Sequence, residues 1–390
     1  MSAANDYDYY PEFSWDTLPL YIHIRKRIAF EDEDLEYLSK FPLITLEKTT
    51  GMRTYGCTCA GSIKAAEQIK ERNPNAKVLY YRNCLINYTF YSFDKELDEH
   101  DDWFLKDKDT GENIKVLAGD YKLYDLSQPE VQEWWINKAT KVVCDNSSID
   151  GLFVDANIKV LDPVYLTRHA NVSESKKTQV QNGWNEMMDT IQGILKEHKK
   201  LHLANIIRTR LGDSGISSLN YFDGSYIENI ELPGAAPTQG NRAADNLEKG
   251  IAAVQQAAQS GKIIAMTLGL GESAEEADYD DMRNDAEADF TKLKTRIDFS
   301  IGLFLIIAEK YSYLNMHDGY DVNVDRTGQC NSIMWLKRLP EYDQPLGKPL
   351  GPAEKEGYIY TREFEHVRVK LDIKEQKADL IWSGDKNEEL

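Results

Sequence analysis

Residues 149–157 read IDGLFVDAN, a short apolar run that ends on a carboxylate. A second stretch, FDGSYIEN over residues 222–229, repeats the order Asp-Gly, three residues and an acid. Side chains alternate along a strand, so the glycine and the acid of each stretch share one face. An acid at the C-terminal end of such a strand is where barrel enzymes hold their chemistry. A single acid could equally cap a following helix, but two copies of the pattern favour a paired-carboxylate site built from Asp155 and Glu228.

The size and charge of the chain limit the classes of protein to which it can belong. It has 390 residues, 42% of them hydrophobic, which is enough for one large barrel domain or two smaller domains. The formal net charge is −19 and the sequence pI is about 4.9. A chain this acidic is a poor non-specific partner for a polyanion, so we expect no nucleic-acid binding.

The cysteines do not predict a disulfide framework. The five cysteines are Cys57, Cys59, Cys84, Cys144 and Cys330, an odd number without a repeating spacing. Cys57 and Cys59 are too close in the chain for a comfortable bridge and have no histidine beside them. We therefore predict free or buried thiols.

Signals for membrane insertion and export are weak in this sequence. No apolar run of about 18 residues is present, so we predict no membrane span. Residues 1–5, MSAAN, have no signal-peptide core. We nevertheless expect an exported protein, periplasmic or extracellular, whose signal peptide is missing from this sequence. A cytoplasmic location stays open, and so does the oligomeric state.

Eight short apolar segments alternate with helical patterns along residues 1–330, behind a polar N-terminal arm. They begin near residues 20, 42, 77, 150, 201, 223, 262 and 311. Strands that alternate with helices predict a parallel sheet, and eight of them predict a (β/α)8 TIM barrel. No Gly-x-Gly-x-x-Gly follows the first strand, which disfavours a doubly wound dinucleotide-binding sheet.

The sequence pattern changes after about residue 330. Residues 358–360 and 367–369 alternate as strands do, and no helical pattern separates them. We predict that residues 331–390 form a small β-rich C-terminal extension packed on the barrel.

Polar residues near the strand ends are the candidate substrate ligands, because the carboxyl ends of all barrel strands point to one mouth. The candidates are His23, Arg25, Glu47, Lys48, Tyr81, Arg82, Asn83, Asn157, Asn205 and Arg208. We expect the floor of the pocket to be formed by His23, Arg82, Asn83 and Asn205. The long loops after the third and fourth strands should form its walls.

Three acids, Glu47, Asp155 and Glu228, lie among these donors. Glycoside hydrolysis needs two carboxyl groups, one protonated and one ionised, on opposite sides of the scissile bond. Lys48 follows Glu47 directly, so Glu47 can instead be a salt-bridged structural acid. The acidic run 272–289 lacks the spacing of an EF-hand, and the histidines form no zinc motif. We therefore predict a sugar pocket with no metal or cofactor.

Five stretches of the sequence resemble a group of bacterial proteins classed as a hypothetical glycosyl hydrolase family. They are FSWDTLPLY (13–21), FPLITLEKTTG (41–51), LYYRN (79–83), DGLFVD (150–155) and YTREFE (360–365). The resemblance extends over nearly the whole chain. It implies a TIM barrel, a glycosidase activity and a carbohydrate substrate, with a role in polysaccharide degradation. It does not imply a particular sugar.

The position of the acids is similar to that in α-galactosidase-like barrels, because the seventh strand offers no acid here. In those barrels the acid after the fourth strand is the nucleophile and the acid after the sixth is the acid/base. The similarity implies Asp155 as nucleophile and Glu228 as acid/base. Two other classes stay open. A non-catalytic carbohydrate-binding protein would not need a matched pair of acids, and a barrel lyase or isomerase would need a metal cluster or a strand-end lysine.

Overall fold

The structure is a computed structural model. It describes residues 8–117, 119–209, 211–228, 230, 241–269, 294–317, 319–323, 332, 335–336 and 338–383. The acidic run 272–289 and Cys330, both considered above, lie outside the described residues.

Fourteen strands and nine α-helices are present among the described residues. The strands are β1 Tyr21–Ile24, β2 Leu43–Leu46, β3 Lys77–Asn83, β4 Lys115–Val116, β5 Tyr121–Lys122, β6 Gly151–Asp155, β7 Leu201–Asn205, β8 Gly224–Glu228, β9 Ile263–Gly269, β10 Ser312–His317, β11 Glu354–Glu356, β12 Ile359–Glu363, β13 Val367–Asp372 and β14 Lys377–Trp382. The helices are α1 Asp32–Leu38, α2 Met52–Tyr55, α3 Thr58–Arg72, α4 Pro129–Cys144, α5 Asn157–Leu161, α6 Pro163–His169, α7 Glu174–Glu197, α8 Asn241–Gln259 and α9 Lys294–Ile307.

Eight parallel strands form one sheet in the order β1-β2-β3-β6-β7-β8-β9-β10. A parallel bridge pairs Leu20, just before β1, with Leu314 in β10, and the Leu314 amide donates to the carbonyl oxygen of Pro19 at 2.8 Å. This bridge makes the sheet a nearly closed barrel, and the predicted TIM-barrel class is confirmed. Each of the eight predicted strand starts lies within one residue of the observed start.

The chain divides into two compact units. The first consists of Met1–Pro11, Ile24–Ile206 and Gly215–Ser225. The second consists of Glu12–His23, Ile207–Ser214 and Tyr226–Leu390.

Helices α4 and α7 pack on each other in the first unit. Trp134 and Trp135 of α4 are 7% and 0% exposed, so they pack in the core and are not open platforms for sugar. Gly183 allows the backbone of residue 126 to approach α7 closely. A Cβ atom at this position would lie 1.8 Å from the carbonyl oxygen of Leu126. The backbone of residue 126 therefore fits against α7 only where a side chain is missing.

The long connection after β3 belongs to the same unit. It contains two short 3-10 helices, Ser92–Glu99 and Asp101–Trp103, and the antiparallel pair β4–β5. The turn at residues 109–111 is closed by Asp107, whose Oδ1 accepts the amides of Asp109 and Thr110 at 2.9 Å.

Helix α9 is the centre of the second unit, because ten of its fourteen residues are buried. Strands β11–β14 form the antiparallel sheet of the predicted C-terminal extension, which packs on this helix. Arg362 of β12 ties the two together. Its guanidinium donates to the carbonyl oxygens of Leu305 at 3.0 Å and Ala308 at 2.6 Å, and to the Glu309 carboxylate at 3.0 Å. It thus occupies carbonyl groups that the end of a helix leaves open. Among the described residues, no helix is long and apolar enough to cross a membrane.

Two glycines of α7 give a matched test of this packing. We expect Gly183→Ala to lower the free energy of unfolding by about 1–3 kcal/mol, because the new methyl group overlaps the Leu126 carbonyl. In Gly193→Ala in the same helix, the new methyl group meets no atom of the described residues within 4 Å, and we expect this change to raise stability by up to about 1 kcal/mol. Urea unfolding of both variants measures the difference. Equal stability of the two would show that α7 does not pack on residue 126 in this way.

Candidate active site

Asp155 is the last residue of β6, and two polar side chains of the first unit contact its carboxylate. The Tyr81 hydroxyl donates to Oδ2 at 2.6 Å, and Asn205 Nδ2 approaches Oδ1 at 3.4 Å. Parallel pairing sets Tyr81 opposite Phe153 and Asn83 opposite Asp155, so Tyr81 points to the acid from the neighbouring strand. The carboxylate is partly exposed and is held from two sides.

The residue after Asp155 has an uncommon backbone. Ala156 has φ 69°, in the left-handed region that residues with a side chain adopt rarely. Its amide donates to the Asp155 carboxylate. The chain therefore leaves β6 in a sharp turn that brings a backbone donor back to the acid.

A second acid of the first unit, Glu47, directly follows β2 and is 2% exposed. Lys48 donates to its Oε1, while Oε2 has no hydrogen-bond partner among the described residues. The Lys48 ammonium also lies 4.9 Å from the ring centre of Tyr81 and 5.5 Å from that of Tyr88. Lys48 and Arg25 both interact electrostatically with Glu47, and Lys48 does so with Asp155 as well. The ammonium group of Lys48 thus favours the ionised form of both carboxyl groups.

These surroundings push the pKa values of the two acids apart. Burial raises the pKa of Glu47 to about 7, against the opposing effect of Lys48 and Arg25. Burial also disfavours the charge on Asp155, but the Lys48 ammonium and the Tyr81 hydroxyl outweigh it, and the pKa of Asp155 is lowered. Near neutral pH the first unit therefore holds an ionised Asp155 and a Glu47 that is protonated in part of the molecules.

The acid of the second unit, Glu228, ends β8, and its side chain is 40% exposed. Arg208 fixes it by donating to its Oε2 and, at 2.8 Å, to its carbonyl oxygen. Two residues earlier, Tyr226 is buried and its ring centre lies 5.0 Å from that of His23. The His23 ring is oriented by the Tyr21 hydroxyl at 3.0 Å from Nδ1. Arg208, Glu228 and His23 therefore each have a defined position within this unit.

Three of the predicted substrate ligands, at the ends of β3 and β6, are buried and make structural contacts. Arg82 is 1% exposed and its guanidinium packs on the rings of Tyr91 and Phe93, at 4.4 and 4.6 Å. Its neighbour Asn83 accepts the amides of residues 85 and 86 at 3.1 and 2.7 Å. Asn157 accepts from the indole of Trp184 at 3.0 Å. In this structure the three side chains support strand ends and loops, and their contact with a substrate stays a prediction.

Sequence reasoning did not select Tyr88 and Tyr320, which contact Lys48 and His23. Both lie in loops, where neither strand nor helix periodicity marks a side chain. The only signal available was an aromatic residue within a long strand-end loop. Within the described ranges, no three or more His, Cys, Asp or Glu side chains lie together as a metal would require.

Several solved structures are similar to the chain in fold. A noncanonic maltogenic α-amylase from Thermotoga neapolitana aligns with a TM-score of 0.48 at 13% identity, over 91% of this chain and 85% of that one. An α-galactosidase of family GH36 from Geobacillus stearothermophilus gives 0.48 at 12%, over 92% of this chain and 48% of that one. A GH31 α-xylosidase from Xanthomonas citri gives 0.46 at 14%, over 84% and 35%. The chain thus spans about half or less of the last two proteins.

Comparison with protein families gives a sharper result than comparison with single proteins. No curated protein sequence matches the chain. The model of hypothetical glycosyl hydrolase family 15 matches residues 70–368, which is well over half of the sequence. The matched region includes Asp155 and Glu228, whereas Glu47 precedes it. The extent of this match shows that the chain belongs to hypothetical glycosyl hydrolase family 15.

Proposed function

We propose that the protein is a glycoside hydrolase that cleaves a glycosidic bond of an oligo- or polysaccharide, with Asp155 and Glu228 as its two carboxyl groups. The observation that carries the proposal is the environment of Asp155, a carboxylate kept ionised at the end of a barrel strand by Lys48 and Tyr81. Family membership supports the reaction class. Both acids end strands of the same parallel sheet.

Asp155 acts as the nucleophile in this proposal. A carboxylate attacks the anomeric carbon only when it is ionised, and the lowered pKa of Asp155 meets that requirement. The Tyr81 hydroxyl and the Ala156 amide hold the carboxylate in one orientation. A fixed nucleophile loses less entropy as it approaches the sugar, which lowers the barrier.

Glu228 acts as the general acid and base. It protonates the departing oxygen as the bond to Asp155 forms, and then takes a proton from the water that releases the sugar. Its partly exposed side chain suits a group that must reach both a leaving group and a water molecule. Arg208, bonded to its side chain and its carbonyl oxygen, sets the direction in which the carboxyl points.

Glu47 and Lys48 bind sugar hydroxyl groups in this proposal. Glu47 Oε2 is buried and has no partner within the part of the chain that the structure describes, and a buried polar atom of that kind gains most from a hydrogen bond that a ligand brings. The rings of Tyr81 and Tyr88 beside Lys48 add surfaces on which a sugar ring can pack.

The reaction class itself is tested by incubating the protein with a panel of plant and algal polysaccharides and measuring the release of reducing ends. We expect release from at least one of them. Binding without release across the panel, by a protein whose acids are intact, would indicate a carbohydrate-binding protein instead.

For Asp155→Asn we expect kcat/KM to fall by roughly 10²–10⁴-fold or more, with the fold intact, because the amide cannot form the glycosyl-enzyme. Asp150→Asn is the matched control. Asp150 precedes the same strand at its other end, where it binds Lys70 at 2.8 Å and the Val78 amide. We expect it to lower stability and to leave kcat/KM within a few fold. Initial rates of both variants, measured on the polysaccharide from which the wild-type protein releases reducing ends, test this difference.

For Glu228→Gln we expect a loss of roughly 10²–10⁴-fold on a natural substrate, because the leaving oxygen is no longer protonated. Activity on an aryl glycoside with an acidic leaving group should fall far less in its first step, since that group leaves as an anion. Glu248→Gln, in an exposed ion pair with Lys355, serves as control and should keep its activity. Near wild-type rates for both Asp155→Asn and Glu228→Gln would discard this pair and turn attention to Glu47.

The raised pKa of Glu47 has a consequence for stability. The folded state holds this proton up to about pH 7, whereas the unfolded chain releases it near the ordinary value of 4.5. The Glu47 contribution to stability is therefore fully present below pH 4.5 and is lost as the pH rises to 7. We expect Glu47→Gln to gain stability relative to wild type across this window, by up to about 3 kcal/mol. Urea unfolding of both proteins at pH 5 and pH 8 measures the gain, and an equal difference at both pH values would contradict it.

A further inference from the structure

Two thiols lie in contact at the start of α3. Cys57 is the N-cap residue of the helix, with an extended backbone, and Cys59 is in its first turn. Their Sγ atoms are 3.1 Å apart. The sequence predicted free or buried thiols here, and both cysteines are free in this structure. Their sulfur atoms are nevertheless close enough that a shift of about 1 Å would bring them to bonding distance.

The pair borders a cavity whose lining, as far as the described residues form it, includes neither Asp155 nor Glu47. The cavity has a volume of about 470 Å³, and its lining includes Cys57, Ser92, Asp94 and Tyr91. Cys57 is half-buried and forms part of the wall, whereas Cys59 is buried behind it. The Cys59 sulfur lies 3.2 Å from the Ser92 hydroxyl. A small molecule in the cavity would therefore meet the Cys57 sulfur first.

We propose that Cys57 and Cys59 form a reactive dithiol site that exchanges with small disulfides and closes to an intramolecular disulfide. In the first step the Cys57 thiolate attacks one sulfur of the small disulfide. A mixed disulfide forms and one small thiolate leaves. In the second step the Cys59 thiolate attacks the Cys57 sulfur and expels the other small thiolate. The protein loses two electrons and two protons, and the small disulfide becomes two thiols.

The positions of the two sulfur atoms set this order. Cys57 is the accessible thiol and sits at the N-terminus of a fifteen-residue helix, where the backbone amide of Ala60 approaches its sulfur at 3.4 Å. Backbone donors and the helix dipole stabilise a thiolate at such a position. Burial raises the pKa of Cys57 nonetheless, so exchange should become faster as the pH rises above neutral. A bridge between residues two apart closes a small, strained ring, so thiols should reduce it readily.

The residue between the cysteines connects the pair to two neighbouring loops. Thr58 accepts the amide of Thr49 at 3.1 Å with its hydroxyl and donates its own amide to the carbonyl of Phe90 at 2.9 Å. Thr49 lies two residues beyond Glu47. Formation of the bridge would therefore act on the segment that follows β2 as well as on the loop after β3.

The test uses the reduced, native full-length protein and cystamine as the small disulfide. Trypsin cleaves after Arg53 and Lys64, so both cysteines lie in one peptide, residues 54–64, which contains no other cysteine. After cystamine treatment and blocking of free thiols, we expect this peptide to be lighter by two hydrogen atoms than its reduced form and unlabelled. Dithiothreitol should restore two labelled thiols. A peptide that stays reduced at pH 8, while cystamine modifies Cys144, would overturn the proposal.

Single substitutions test the order of attack. In Cys59→Ser the mixed disulfide has no second thiol to expel it, so we expect a stable cysteamine adduct on Cys57. In Cys57→Ser the buried Cys59 should react at least tenfold more slowly. Cys144 is the internal control, since it is also half-buried but is a single thiol at the end of α4. Failure of Cys59→Ser to retain the adduct, or equal rates at Cys57 and Cys144, would refute the assigned roles.

Discussion

Parallel strand pairing is the constraint on which the rest of the structure depends. It places the carboxyl ends of neighbouring strands side by side, so residues distant in the chain meet at one edge. The pairing of β3 with β6 sets Asn83 opposite Asp155 and leaves Tyr81 within reach of the acid through its hydroxyl. A slip of one residue would turn Tyr81 to the opposite face and remove its bond to Asp155. The pKa of the acid is therefore tied to the register of the sheet.

The positive charge of Lys48 lowers the pKa values of both acids in the first unit, but the net shifts of the two acids differ in direction. Lys48 is bonded to Glu47 and acts electrostatically on Asp155. Desolvation dominates at the deeply buried Glu47, whereas the hydroxyl and amide donors around Asp155 tip the balance toward the ionised form. The same physical effects thus shift the pKa values of two carboxyl groups that share a lysine in opposite directions.

Most of the fold could be predicted from the sequence, because buried apolar runs of four to seven residues mark the barrel strands closely. The site was predictable only in part. Alternation along β3 separates Arg82 from Tyr81, and Arg82 packs among aromatic rings that belong to a later loop and helix. The raised pKa of Glu47 depends on burial by tertiary contacts, which no local pattern shows. Tyr88 lies in an irregular loop, where no strand or helix periodicity marks a residue as part of a site.

The left-handed conformation of Ala156 restricts what can stand next to the acid. The left-handed conformation costs an alanine roughly 1–2 kcal/mol and a glycine almost nothing. It costs a β-branched residue more than an alanine, because the branches contact the backbone. The backbone at position 156 therefore limits which residues can replace Ala156 in related sequences. A related chain with Gly or Asn there can keep the sharp turn and its backbone donor, whereas one with Val, Ile or Thr would have to rebuild the end of the strand. The dipeptide at 155–156 can thus help to separate relatives that retain this acid geometry from relatives that have kept only the barrel.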